Sequence, residues 1–136
     1  MIKPIMRDAF FLNQKSEVAT KVDLPIAADL EDTLKANREH CVGMAANMIG
    51  YRKRIIIVAT GLADLVMINP VITEKSEPYE TEEGCLSLPG VRKTTRYKKI
   101  TVRYLDKKFA EHTQSFSGYI AQIIQHECDH LEGVLI

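Results

Sequence analysis

At 136 residues, 46% of them apolar and 26% charged, the chain is expected to form one globular domain spanning residues 1–136. Eighteen Lys plus Arg balance eighteen Asp plus Glu, which leaves no global basic footprint for DNA. No stretch approaches the ~18 apolar residues of a membrane span, and the N-terminus lacks a signal-peptide h-region, so the expectation is a cytoplasmic protein with no membrane partner.

In chain order, residues 1–22 read as loop. Asp23-Leu24-Pro25 reads as a helix start, with Asp23 as N-cap and Pro25 in the first turn. Ile26, Ala27, Leu30 and Leu34 then recur at helical spacing, which predicts an amphipathic helix over 25–39. Cys41 to Gly50 is rich in small residues that permit close backbone approach. Residues 54–60 and 65–72 read as buried strands divided by Gly61. Residues 77–83 alternate loosely, and 97–105 alternate well enough for a half-buried strand. A final helix, capped by Ser117 or Ser115, is predicted to run to about Leu131, with Gly133 as its stop. Central strands with a helix near each end predict an α+β fold, antiparallel β-sheets packed around the C-terminal helix. Residues 92–108 are basic and 74–83 acidic. The plain reading is two solvated strand faces; the alternative is a basic surface that docks on a polyanion such as the ribosome.

The chemistry lies in the last helix. His126-Glu127-Cys128-Asp129-His130 is an H-E-x-x-H motif, whose two histidines sit one turn apart on one face and can reach a single metal ion. Glu127 beside them can take a proton from metal-bound water. In zinc proteases of this pattern the third ligand lies downstream. Here only Leu131 to Ile136 follow, and Glu132 points away from the pair. The third ligand is therefore sought upstream. Cys85 fits best, because Gly84 and Pro89-Gly90 frame a defined turn. A thiolate and two imidazoles leave a fourth tetrahedral position open for water. The competing reading of Cys85 is a small buried hydrophobe. Cys41, His40 and His112 are weaker candidates, and Cys128 is expected to face the core. The three cysteines have no framework spacing and read as ligands or core residues rather than disulfides. Tyr119, Gln122 and Ile123 precede His126 by seven, four and three residues and share its face, so they are expected to line the cavity.

Three segments together resemble the peptide deformylase family, whose signatures are G-Φ-G-Φ-A-A-x-Q (Φ apolar), E-G-C-L-S and Q-H-E-x-D-H-L. Glu83 to Ser87 matches the second and Gln125 to Leu131 the third, both without a change; Ile68-Asn69-Pro70 and Arg92 also resemble positions common there. The resemblance covers roughly residues 25–136. It implies a mononuclear divalent metal, Fe²⁺ with Zn²⁺, Ni²⁺ or Co²⁺ as replacements, held by Cys85, His126 and His130. It also implies Glu127 as general base and the Leu86 backbone N–H as oxyanion donor. The implied substrate is the N-formyl group of N-formyl-methionyl nascent peptides, and the substrate-binding residues on this reading are Val42, Gly43, Met48, Gly84, Arg92, Tyr119, Gln122 and Ile123.

The first signature departs in two places. Cys41 stands at its first glycine, and Met48 replaces the glutamine whose amide donates to the oxyanion. A thioether cannot donate, and Asn47 next to it is turned by about 100°. Losing one such donor costs about 10²–10³ in rate, so a slowed enzyme is expected. The alternatives are a deformylase-like protein that has lost catalysis but binds metal and N-terminal peptides, and a peptidase or amidase for another small acyl group.

Overall fold

A computed structural model describes residues 1–135. Its core is one antiparallel sheet in chain order: β1 (Gly43–Ala45), β2 (Ile55–Ala59), β3 (Asp64–Glu83), β4 (Arg92–Leu105) and β5 (Glu111–Ser117). Helix α2 (Leu24–Ala36) covers one face and helix α3 (Gly118–Leu131) the other. The short helix α1 (Ala9–Leu12) and a 3₁₀ turn at Lys21–Asp23 interrupt the segment expected to be loop. Asp8 starts α1 by accepting the Phe10 N–H at 2.9 Å.

Strand β2 explains how two helices share one sheet. Ile55 and Ile57 pack with Leu30 and Leu34 of α2, whereas Ile56 and Val58 pack with Ala121 and Ile124 of α3. A strand buried on both faces has no polar face to alternate with, which is why it reads as a continuous apolar run.

Three expectations change. Helix α2 stops at Ala36, where the Asn37 N–H and side chain return to the Thr33 carbonyl. Asp23 does sit before α2, but its carboxylate accepts the Thr20 N–H at 2.9 Å instead of capping the helix. Residues 65–72 and 77–83 belong to one strand, β3, which bends through register shifts after Ile68 and Ile72. A bulge kinks a strand without ending it. At this one Asn69 takes a positive φ of 52°, and its amide bonds both backbone groups of Ala19, at 2.8 and 3.0 Å. Strands β1 and β5 are absent from the sequence reading. β1 is only three residues long, and β5 is mostly exposed, so neither carries a burial pattern.

The acidic and basic segments are the two arms of the β3–β4 hairpin. Glu82 stands opposite Lys93 and Glu83 opposite Arg92, while Lys99 reaches Glu77 at 3.2 Å and Lys107 reaches Glu31 at 3.1 Å. Opposed charges cancel locally, in accord with solvated strand faces. The far end of this hairpin closes through residues 84–91, which brings Cys85 to α3.

Helix α3 begins after Ser117, whose side chain makes no capping bond, and Ser115 lies in β5 against Thr101. Gly133 ends it at φ 78°. A Cβ there would lie 2.5 Å from the Asn13 carbonyl oxygen, so both conformation and space require glycine.

Candidate active site

A cleft of about 570 Å³ opens beside α3. Val42, Gly43, Met48, Gly84, Cys85, Leu86, Tyr119, Gln122, Ile123, His126 and Glu127 line it, together with Cys41 and Glu83. Thus nearly all the residues singled out from the sequence come together. His130 lies behind the lining, buried, with its Nε2 3.0 Å from the Nε2 of His126. Arg92 does not join the lining; its guanidinium donates to the Pro89 carbonyl at 3.4 Å. A second arginine, Arg96, four residues further along β4, is tied to the residues around the cleft.

Arg96 is buried and holds Glu83 through both Nε and Nη2, at 3.0 and 2.6 Å, while its Nη1 donates to Asp129 at 2.6 Å. Glu83 in turn accepts from His126 Nδ1 at 2.8 Å and from Gln122 at 2.8 Å. Gln122, unexpected in an apolar wall, is therefore a donor to this carboxylate. Burial pushes the Glu83 carboxyl up, but the bonds from His126, Arg96 and Gln122 outweigh it and hold the group down at about 2. A carboxylate on Nδ1 fixes the imidazole tautomer and turns Nε2 toward the cleft. Nothing in the periodicity marks Glu83 or Arg96, since a buried ion pair forms only when two strands and a helix meet.

Two further amides secure α3. Asn47 Nδ2 donates to the His130 carbonyl at 2.9 Å, so it faces the helix and not the cleft, as its helical offset from Met48 predicts. Gln125 exchanges two bonds of 2.8 Å with the Tyr97 backbone. Gly43 lies close beneath the site. A Cβ on it would sit 2.7 Å from Ile123 Cγ2 and 3.0 Å from Glu127 Oε2.

The titrating groups are strongly displaced. Burial pulls His126 down, but its bonds to Cys85 and Glu83 prevail and lift it to about 10. Burial and the neighbouring His126 charge push His130 down to about 3. Burial raises the Cys85 thiol, yet the bond to His126 and backbone N–H groups overcome it and lower it overall. Burial raises Glu127 to about 7. Its Oε1 is buried with no hydrogen-bond partner among the described residues.

These residues fit a metal. Ligating atoms of His126, Glu127 and His130 lie within 4.8 Å of one another. The two Nε2 atoms face each other, one carboxylate oxygen is unpaired, and the nearby Cys85 sulfur, bonded to His126, accepts the Ser87 N–H at 3.3 Å. Two imidazoles and a thiolate suit a divalent transition metal.

A cleft floored by an H-E-x-x-H helix, with an upstream cysteine and a buried unpaired carboxylate, defines a hydrolase of the metal-dependent class. Comparison makes this specific. Residues 4–136 match the profile of the family described as polypeptide deformylase. The chain is 60% identical to a peptide deformylase of Clostridium beijerinckii across the full length of both. It is 41% identical to peptide deformylase 1 of Clostridium perfringens, over 94% of this chain and 90% of that one. Among solved structures, peptide deformylase from Thermotoga maritima superimposes with a TM-score of 0.89 at 31% identity, over 99% of this chain and 95% of that one. An actinonin-bound class I type b peptide deformylase from Acinetobacter baumannii gives 0.88 at 32%, with coverage of 99% and 95%. The chain belongs to the polypeptide deformylase family, and it is an enzyme of that kind. No helix among the described residues is long and apolar enough to cross a membrane.

Proposed function

We propose that this chain releases formate from N-formyl-methionyl peptides, with Cys85, His126 and His130 holding one divalent ion, Fe²⁺ by preference. The observation that carries the reading is Glu127: a buried carboxylate raised to about 7, unpaired at Oε1, beside two imidazoles whose Nε2 atoms face each other. Such a group serves no packing purpose and is costly to bury. When bound, the metal supplies Lewis-acid polarisation and a water of lowered pKa.

The chain's own residues do the rest. Glu127 Oε takes a proton from the attacking water and passes it to the departing amine nitrogen. The formyl C–N bond breaks, leaving formate and a free N-terminus. The Leu86 N–H, which has no protein acceptor among the described residues, donates to the tetrahedral oxyanion. Val42, Gly43, Ile123 and Tyr119 form walls for the methionyl side chain and the following peptide.

Met48 is the exception. Met48 lines the cleft, and its Sδ accepts the Ala45 N–H at 3.4 Å, so it brings no donor to the oxyanion. The turnover step is slowed by about 10²–10³ on that account. Met48 also favours a second reading, a relative that binds peptide and metal without turnover. The test is formate release from a formyl-Met peptide by protein prepared without oxygen and loaded with Fe²⁺. Turnover that disappears in Glu127→Ala supports the enzyme; no turnover from stoichiometrically loaded protein supports the second reading.

A further inference from the structure

The sheet ends at β1, which is paired on one side only, by β2. The Ala59 N–H donates to the Val42 carbonyl at 2.8 Å, and Gly43 stands opposite Val58, Met44 opposite Ile57. Backbone groups alternate in direction along an antiparallel pair. Val42 and Met44 therefore turn theirs toward β2, and Gly43 and Ala45 turn theirs toward the open edge. Cys41, Val42 and Gly43 line the cleft, so this edge fronts it. An open strand edge is a template for an extended chain.

Two of the outward groups are already occupied, both by sulfur. Cys41 Sγ donates to the Gly43 carbonyl at 2.8 Å, and the Ala45 N–H donates to Met48 Sδ at 3.4 Å. These are the two positions at which the chain departs from the G-Φ-G-Φ-A-A-x-Q pattern. A glycine at position 41 would have no side-chain donor. We propose that Cys41 is a displaceable cap on the β1 edge: the N–H of an extended peptide pairs fully with the Gly43 carbonyl only after the Cys41 thiol has left it. Cys41 thereby sets affinity for the peptide main chain, whatever its side chains. The inference rests on the reading of the cleft as a peptide site. A carbonyl has two lone pairs; the Cys41 thiol takes one of them at 2.8 Å, and Cys41 and Gly43 both line the cleft that the peptide must enter. Met48 is fully buried and remains in place, so its effect falls on turnover and that of Cys41 on binding.

The experiment is calorimetric titration of metal-loaded protein with an unformylated methionyl tripeptide, for the wild type, Cys41→Ala and Cys41→Ser. One neutral hydrogen bond is worth roughly threefold to tenfold in affinity. Cys41→Ala, which removes the donor, is expected to bind the tripeptide tighter by that factor and to lower KM for the formylated tripeptide in parallel. Cys41→Ser, which keeps a donor at the same atom, is expected to return the weaker dissociation constant. Equal dissociation constants in all three proteins, weaker binding by Cys41→Ala, or no binding by any of them would overturn the proposal. The titration needs no turnover, so absent formate release from the wild type would count against the hydrolase reading alone.

Discussion

Adding one methyl group at Gly43 tests the closest contact in the site. The Gly43 φ is not in the left-handed region, so alanine meets no backbone penalty there; the penalty comes from space. The new Cβ would lie 2.7 Å from Ile123 Cγ2, 3.0 Å from Glu127 Oε2 and 3.2 Å from the Ile57 carbonyl oxygen. The first distance is more than 0.5 Å inside ordinary carbon contact (~3.5 Å), and the third neighbour is backbone, which cannot swing aside. Overpacking of this sort costs about 1–3 kcal/mol. An unfolding entropy of about 2.1 cal/mol/K per residue, over 136 residues, gives about 0.29 kcal/mol/K. Gly43→Ala should therefore lower Tm by roughly 3–10 °C. Relief must come from Ile123 and Glu127, both on α3, so the carboxylate proposed as general base shifts as well. Displacements of ~1 Å at a reacting group cost on the order of 10²-fold. Thermal unfolding and formate release measured on the same preparation check both effects. A Tm within 1 °C of wild type (about 0.3 kcal/mol by the same entropy) together with undiminished kcat would refute the argument that this glycine exists for the approach of β1 to α3.

Met48→Gln should raise kcat by about two orders of magnitude with a smaller change in KM, because the gained donor acts on the oxyanion and not on the bound amide; a change confined to KM would remove Met48 from that role. Glu83→Gln leaves Arg96 buried with only Asp129 to neutralise it, so it should cost about 3–5 kcal/mol in denaturant unfolding. It should also weaken metal affinity by roughly 10–100-fold, through the loss of the carboxylate on His126 Nδ1; unaltered stability would show the pair to be dispensable. The metal-free protein has His126 raised from 6.5 to about 10. That imidazolium contributes stability which is fully present below pH 6.5 and is lost as pH rises toward 10. A ligand must be deprotonated, so metal affinity should climb over the same interval and metal uptake at pH 8 should release a proton. Titration in buffers of different ionisation enthalpy reads that proton, and uptake without proton release would contradict the assignment.

The chemistry of this chain was legible in its sequence because it is local. H-E-x-x-H places two imidazoles and a carboxylate by helical pitch alone, and Gly84-Cys85 is framed by its own turn. The directions of Tyr119, Gln122 and Ile123 follow from the same period. The apolar run of β2 gave away a strand buried on both faces. Two unbroken motifs and a third with two departures then implied the family, which the comparisons bear out. What the sequence could not carry is whatever depends on partners distant along the chain. Arg96 looks like an ordinary charged strand residue, and Glu83 only like the first letter of a motif, until the hairpin folds them against α3. Arg92, expected from the family resemblance to bind substrate, donates to the Pro89 carbonyl and does not line the cleft. Strands β1 and β5 have no pattern of their own and exist because β2 and β4 offer them backbone partners. The two sulfurs at Cys41 and Met48 read in the sequence as lapses from a motif. Only the register of β1 reveals that they stand on the outward-facing groups of an unpaired edge. Side-chain direction within one element is set by its pitch, but which polar groups are left over is decided when the sheet closes and the count of backbone partners is complete.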